Sequence, residues 1–175
     1  MDSKETYIKA AFEKIIPLFR ESGLPIDEID ERLQIKFADI SPKWAGLCYS
    51  RISGYYPQEK HEILISNKVD NGFDAIDVLI HEVCHAIQRH LYGYEVRPHG
   101  KEFKAIAEAV GLTGKMTCAS ANHELGIKIK QWEKEIGLFP HESSFAEMIE
   151  NWIINLINYG GSFYILAMIV QYNTP

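Results

Sequence analysis

The chain has 175 residues and a mass of 20.0 kDa, and its 46% hydrophobic and 24% charged residues are typical of a folded globular domain. This composition excludes a chain that is disordered throughout its length. A formal charge of -6 gives no global attraction to nucleic acid, so any such binding would need a local basic patch.

The first segment predicts an amphipathic helix. Apolar residues recur there at three- to four-residue spacing: Ile8, Phe12, Ile15 and Phe19. Asp2 or Ser3 is the candidate N-cap, and Pro17 is expected to kink or shorten the helix. The run Ser-Gly-Leu-Pro over 22–25 is expected to end it.

Three short strands are predicted next, over 33–38, 46–52 and 61–66. In the first of these, Leu33, Ile35 and Phe37 alternate with other residues, as they do in a half-buried strand. A turn-forming run, 53–57, separates the second strand from the third. The three strands are therefore expected to form a small antiparallel meander.

Two further helices are predicted after the strands, over 74–91 and 101–110. The apolar residues of the first share a stripe about 120° wide: Ile76, Leu79, Ile80, Val83, Ala86 and Ile87. Gly111 is the expected C-terminal cap of the second. Helical spacing from Phe145 to Ile157 indicates additional C-terminal helices. Helices gathered on a small antiparallel sheet give the α+β class.

Three cysteines, Cys48, Cys84 and Cys118, are too few for a disulfide framework, which favours a reducing compartment. The first residues lack the cationic and apolar runs of a signal peptide. Polar residues and glycines interrupt the apolar stretch 145–170 before it could span a bilayer. We therefore predict a cytoplasmic protein with no membrane partner, and no oligomeric state is predicted.

The motif that carries chemistry is HExxH, His81-Glu82-Val83-Cys84-His85, within the 74–91 helix. Residues four apart are about 400° apart around a helix, so the two imidazoles project from one side and can bind one zinc ion. Both lie away from the apolar stripe and are expected to line a cleft. Glu82 is suited to accept a proton from zinc-bound water, and Cys84 is expected to be a packing residue.

A catalytic zinc ion needs a third protein ligand, which must come from another segment. The longer motif HExxHxxGxxH is absent because Gln88 and Leu91 occupy the positions of its glycine and last histidine. Glu102 or Glu108 on the following helix is one candidate. His99 is the favoured candidate, because it directly precedes that helix after a loop long enough to double back.

The segment HEVCHA, followed by a loop and then HGKEF, resembles the SprT-like family of zinc metalloproteases, which includes the Spartan proteases that digest proteins crosslinked to DNA. The resemblance covers roughly residues 5–118. It implies that His81, His85 and His99 are the zinc ligands and that Glu82 is the catalytic base. It also implies a zincin-like fold, in which a small antiparallel sheet packs on the active-site helix.

Two domains follow from this resemblance. We expect a SprT-like metalloprotease domain over 1–118 and a helical C-terminal extension, packed on the same core, over 119–175. Many bacterial members carry a four-cysteine zinc ribbon, which is absent here because only Cys118 follows the motif.

The predicted function is a zinc-dependent metallopeptidase in which Glu82 activates a zinc-bound water for attack on a peptide carbonyl. Its expected partner is a protein or peptide substrate, with weak DNA association implied by the resemblance alone. The alternative is a metal-containing nucleic-acid or transcription-associated binding module with little or no proteolytic turnover.

Residues around the loop between the ligands offer two further possibilities. A phenol or a guanidinium there can stabilise the oxyanion of a tetrahedral intermediate, and the candidates are Tyr92, Tyr94 and Arg97. The local concentration of basic residues, which would carry DNA binding, comprises Arg89, Arg97, Lys101 and Lys104.

Overall fold

Four α-helices and a small sheet make up the part of the chain that the computed structural model describes, residues 3–53 and 56–140, with only the backbone of 51–53 and 56–59. The elements in chain order are α1 (Lys4–Glu21), β1 (Leu33–Ala38), β2 (Gly46–Ser53), β3 (Tyr56–Ser66), α2 (Gly72–Tyr92), α3 (Lys101–Ala109), β4 (Leu112–Thr113), β5 (Ser120–Ala121) and α4 (His123–Ile136). This confirms the α+β class. The helical pattern from Phe145 to Ile157 lies outside the described residues.

Helix α1 begins where the sequence predicts and continues past its proline. The Ser3 side chain caps it by accepting a hydrogen bond from the Thr6 backbone N–H at 3.1 Å. Pro17 lies inside the helix, so the expectation that it shortens α1 is wrong. Proline removes one backbone hydrogen bond, but the buried side chain of Phe19 beyond it is in the core, and this packing offsets the loss.

The three-stranded sheet is not the expected antiparallel meander. Its strand order is β1-β3-β2, with β1 parallel to β3 and β2 antiparallel to β3. The antiparallel prediction is therefore wrong for the β1–β3 pair, in which Leu33 lies opposite His61. Alternation within one strand reports which side chains are buried and not which strand lies beside it. The two fully buried isoleucines of the central strand are Ile63 and Ile65.

Helix α2 is the centre of the described fold, because it contacts the sheet and the other three helices. Every residue of the predicted apolar stripe is fully buried: Ile76, Leu79, Ile80, Val83, Ala86 and Ile87. Cys84 is buried among them as a packing residue, as predicted. Burial also extends to polar side chains that the stripe did not include: Glu82, His85 and Gln88.

The chain after α3 returns toward α2 through a short two-stranded ribbon, β4–β5. Gly111 ends α3 with φ +91°, in the left-handed region that glycine adopts readily, which confirms the predicted cap. Helix α4 buries Leu125 and Ile129 and contacts α1 and α2. Among the described helices, none combines the length and the apolar character that crossing a bilayer requires.

Candidate metal centre

Helix α2 fixes the positions of two of the three predicted ligands. His81 and His85 lie one turn apart with ring centroids separated by 5.2 Å, as their four-residue spacing predicts. The helix begins at a capped end, where the Asn71 side chain accepts a hydrogen bond from the Asp74 backbone N–H at 2.8 Å. Capping and core packing hold both imidazoles on a rigid element.

The loop between α2 and α3 brings the third histidine to the same place. The Nε2 atoms of His85 and His99 are 3.0 Å apart, and one ligand atom from each of the three histidines lies within 4.8 Å of the others. The loop doubles back because the Gln88 amide donates a hydrogen bond to the Arg97 carbonyl at 2.9 Å. Helix α3 begins directly after this turn, which holds His99 at its N-terminal end.

The alternative ligands on α3 do not join the histidines. Glu108 lies 3.6 Å from Lys104 on an exposed part of the helix, and Glu102 lies 3.9 Å from Lys101. Within the described residues, the group of side chains arranged to hold a metal ion is His81, His85 and His99. The structure thus places His99, and neither glutamate, beside the α2 pair.

Phe103 forms an apolar floor beneath the three imidazoles. Its ring centroid is 5.0 Å from that of His81, 4.3 Å from that of His85 and 5.0 Å from that of His99, and its side chain is fully buried. Because Phe103 lies in the first turn of α3, its burial also anchors that end of the helix. Its contacts show that it also excludes water from one side of the histidine cluster.

Burial keeps the three imidazoles neutral. Desolvation lowers the pKa of His81 to about 4 and that of His85 to about 3, and in His85 the neighbouring histidines lower it further. Desolvation and the Arg97 charge also lower the pKa of His99. Because a metal ligand must be an unprotonated imidazole, these residues can bind a cation without first losing a proton at neutral pH.

A hydrogen bond also orients the ring of His81. His81 Nδ1 donates to the Ala119 carbonyl at 3.3 Å, which leaves its Nε2 lone pair for a metal ion. The Gln88 side chain, whose amide nitrogen donates to the loop, also lies beside His85 and partly opposes the lowering of its pKa. Two nitrogens bound to one tetrahedral zinc ion are about 3.3 Å apart, close to the 3.0 Å observed between His85 and His99. Three imidazole donors are a ligand set that zinc accepts, and together they can hold a metal ion.

Glu82 is buried beside the histidines, with 6% of its surface exposed. Desolvation raises the pKa of its carboxyl group to about 8, although the charge of Arg89 opposes the change. Its carboxylate packs against the backbone of Gly46 at the start of β2, where the Cβ atom of any larger residue would lie 2.7 Å from Oε1. Only glycine at position 46 leaves room for this carboxylate.

One open cavity of about 750 Å³ joins these groups. Four segments form its walls: the stretch from Lys43 to Cys48 that leads into β2, the face of α2 from Asp77 to Arg89, the loop residues Pro98 and His99, and the segment 117–120. Trp44 contributes a large apolar side chain that is 52% exposed. The cleft expected from the helical wheel is therefore present, with His85 more deeply buried in it than the wheel indicates.

A family model described as the SprT-like family matches residues 19–123, which is more than half of the chain and includes all four motif residues. The chain belongs to the SprT-like family. No curated protein and no solved structure matches it. Family membership and the histidine cluster together give a metallopeptidase-like domain with a site that can hold a metal ion.

Three residues of this SprT-like site escaped the sequence reasoning. Asp77 accepts a hydrogen bond from the Ala121 backbone N–H at 2.8 Å and so fastens the segment opposite α2. Gln88 connects His85 to the loop of His99, and Gly46 gives space to Glu82. Asp77 could have been found from the helical repeat, because it precedes His81 by four residues. The other two depend on contacts between distant segments.

The other candidates around the loop do not line the cavity. Tyr92, Tyr94 and Arg97 are exposed and are not among its wall residues. The expected concentration of basic residues is divided, because Lys101 and Lys104 lie near carboxylates on their own helix, whereas Arg89 faces the cavity. Cys48 and Cys118 line the same cavity, a position that their sequence context did not indicate.

Proposed function

We propose that this SprT-like chain is a zinc-dependent peptidase, in which His81, His85 and His99 hold the ion and Glu82 transfers protons. The observation that carries the proposal is the convergence of three neutral imidazoles, with ligand atoms within 4.8 Å of one another, in the cavity that also buries Glu82. Membership of the SprT-like family supports the same reaction class.

A bound zinc ion supplies a Lewis acid that polarises the peptide carbonyl and lowers the pKa of water. Glu82 then accepts a proton from the attacking water at its carboxylate and later donates it to the leaving amine. Burial raises the pKa of this carboxyl group, so its carboxylate form holds the transferred proton more tightly than an exposed glutamate would. The Gly46 backbone fixes the carboxylate position throughout.

A protein or peptide is the substrate that the cavity walls favour. Strand β2 is at the edge of the sheet, and its first residues, Gly46 to Cys48, line the cavity. An edge strand offers unpaired backbone groups to an extended peptide, which can lie along it with its carbonyl toward the histidines. The cavity is open to solvent, so an internal segment of a substrate chain can bind in it.

The test is Glu82→Gln, which keeps the shape of the side chain and removes its basicity. We expect the variant to bind zinc as the parent does and to lose cleavage of fluorescently labelled casein by about 10²- to 10⁴-fold. Zinc content is measured by atomic emission, and cleavage by release of labelled fragments.

Glu108→Gln is the matched control, because Glu108 is an exposed glutamate on α3 and the ligand that the alternative arrangement would use. We expect it to retain both zinc and activity. His99→Ala is expected to lose zinc. Full cleavage by Glu82→Gln, or loss of zinc from Glu108→Gln with retention in His99→Ala, would contradict the proposal.

A further inference from the structure

Arg89 is a cavity residue that the proposed reaction does not use. Asp77, His81, His85 and Arg89 follow one another at four-residue spacing along α2, so one face of the helix carries all four into the cavity. Arg89 lies one turn beyond His85, at the end of this row. The sequence grouped it with other basic residues as a candidate for DNA binding, but its side chain is half-buried and lines the wall.

The guanidinium of Arg89 is held in place by an aromatic ring. It lies over the Tyr94 ring, with Cζ 5.4 Å from the ring centroid, a cation–π geometry that positions the group and leaves its N–H donors available. Among the residues whose side chains the structure describes, 3–50 and 60–140, no carboxylate lies within ion-pair distance of it. Glu82, seven residues earlier on the same helix, interacts with the Arg89 charge but forms no ion pair with it, and its carboxylate packs against Gly46.

The offset of Arg89 from His85 along the helix axis corresponds to between one and two residues of an extended peptide. Four helical residues separate Arg89 from His85, a rise of about 6 Å. An extended chain advances about 3.4 Å per residue, so a substrate group at Arg89 belongs to a residue one or two positions from the scissile bond. An arginine with free donors in a partly enclosed cavity pairs best with a planar carboxylate, which it can bind through two hydrogen bonds.

We propose that Arg89 forms a carboxylate-binding subsite of the cavity and selects peptides with a carboxylate one or two residues from the scissile bond. The inference rests on the proposed peptidase function. The carboxylate belongs either to an Asp or Glu side chain or to the peptide's C-terminus, and the experiment separates these two sources.

The charges of the cavity favour a single carboxylate over a polyanion. Arg89 and Lys43 are the cationic wall residues, whereas Asp77 and Glu82 line the same cavity; the neighbouring cavity adds Asp70 and Asp74 together with Lys68. With a net charge of -6, the chain repels a nucleic-acid backbone that must bring many phosphates close to it. One carboxylate can reach Arg89 while the rest of the peptide remains neutral.

The experiment measures binding as well as cleavage. Zinc-loaded Glu82→Gln protein is titrated calorimetrically with acetylated peptides in matched pairs: Glu against Gln at each position in turn, and a free-acid against an amidated C-terminus. We expect one pair to differ by about tenfold or more in affinity, and the same pair to differ in kcat/KM with the parent protein. Arg89→Gln is expected to abolish that difference and to leave the neutral peptide within about twofold.

Three variants control the interpretation. Arg89→Lys keeps the charge but loses the planar donors, and we expect part of the preference to remain. Trp44→Ala removes an apolar wall of the same cavity and should weaken acidic and neutral peptides equally. Lys104→Gln removes a cation outside the cavity and should change neither.

The outcomes distinguish this inference from the proposed function. A carboxylate preference that is lost in Arg89→Gln, in a protein that cleaves nothing, supports the subsite and contradicts the peptidase. Cleavage without such a preference, or equal weakening of both peptides by Arg89→Gln, overturns the subsite. Absence of binding by any peptide, or loss of single-stranded DNA binding alone in Arg89→Gln, overturns it as well.

Discussion

Helix α2 and the segments that face it across the cavity differ in what determines their positions. On α2, the four-residue repeat and a fully buried apolar stripe place Asp77, His81, His85 and Arg89 in one row. The facing walls come from three distant parts of the chain: the start of β2, the loop before α3, and the segment 117–121. The row is fixed by local geometry, whereas the walls depend on a few specific contacts.

Each facing wall is held to α2 through a different side chain of that helix. Glu82 packs against Gly46 of β2, Gln88 donates to the loop at the Arg97 carbonyl, and Asp77 accepts from Ala121. The helix therefore positions the other half of the site as well as its own ligands. Substitutions that remove one contact at a time test this difference between the two halves.

The largest effect is expected for Gly46→Ala, which places a methyl group 2.7 Å from Glu82 Oε1 and 2.6 Å from Val78 Cγ1. The carboxylate must move, so kcat is expected to fall by about 10²-fold or more while zinc content stays the same. Steady-state cleavage and metal analysis measure the two quantities.

Gly126→Ala is the matched control, because a Cβ atom at this position on α4 meets only Phe73, at 3.9 Å. Alanine is the better helix former, so we expect a small gain in thermal stability and unchanged kcat. Unchanged kcat in Gly46→Ala, or a loss of zinc parallel to the loss of activity, would show that the glycine does not position Glu82.

The second prediction concerns the contact of Asp77 with the 117–121 wall. Burial raises the pKa of Asp77 to about 6, with the charge of Asp74 adding to the shift and the Ala121 N–H opposing it. The folded state therefore binds this proton more tightly than the unfolded state, and stability contributed by the protonated form is lost as pH rises from about 4 to about 6. At neutral pH the cost is on the order of 3 kcal/mol.

Asp77→Asn removes the charge and keeps an oxygen that can accept from Ala121. We expect its free energy of unfolding, relative to the parent, to rise over the same pH interval by an amount approaching about 3 kcal/mol. Denaturant titrations of both metal-free proteins at a series of pH values measure the difference. A difference that does not change with pH would mean that Asp77 is as well solvated in the folded state as in the unfolded state.

The third prediction tests the link between two ligands. Gln88→Ala removes the hydrogen bond to the loop that carries His99 and the side chain that lies beside His85. Because such supporting contacts orient metal ligands, zinc affinity is expected to weaken by about 10- to 100-fold. Competition with a chromophoric chelator gives the affinity. Gln131→Ala, on the exposed face of α4, is the control and should bind zinc as the parent does; equal affinity in both variants would refute the link.

The α2 row could be predicted from the sequence because it depends on periodicity alone. The HExxH spacing, the apolar stripe and the loop before His99 gave the same histidines that the structure brings together. Glu82 does not share the direction of the pair around the helix, yet it lines the same cavity because β2 packs over that side of α2. A helical wheel shows directions around one helix and contains nothing about the segment that covers it.

Neither the strand order nor the cavity walls could be predicted from the sequence, because both depend on contacts between distant segments. The β1–β3 pairing joins strands that are not consecutive, and β1 alternates equally well beside either neighbour. Arg89 and Trp44 were ordinary surface residues by composition, and only the tertiary fold places them on one cavity. The family match over residues 19–123 includes both α2 and the walls that face it. It therefore does not show which of the two could be predicted from local sequence.

The smallest effect, a proton count, tests whether Phe103 and the facing walls desolvate the histidines as the structure indicates. At pH 6 about three quarters of ordinary histidines are protonated, so three of them would release about two protons on binding zinc. His81 and His85, with pKa values of about 4 and 3, are already neutral at that pH, which leaves His99 as the source of less than one proton. Calorimetric titration of zinc into Glu82→Gln protein, in buffers of different ionisation enthalpy, counts the protons without a contribution from Glu82. Release of about two protons would mean that Phe103 and the facing walls leave the histidines of α2 in water, so that these walls do not determine how the ligands titrate.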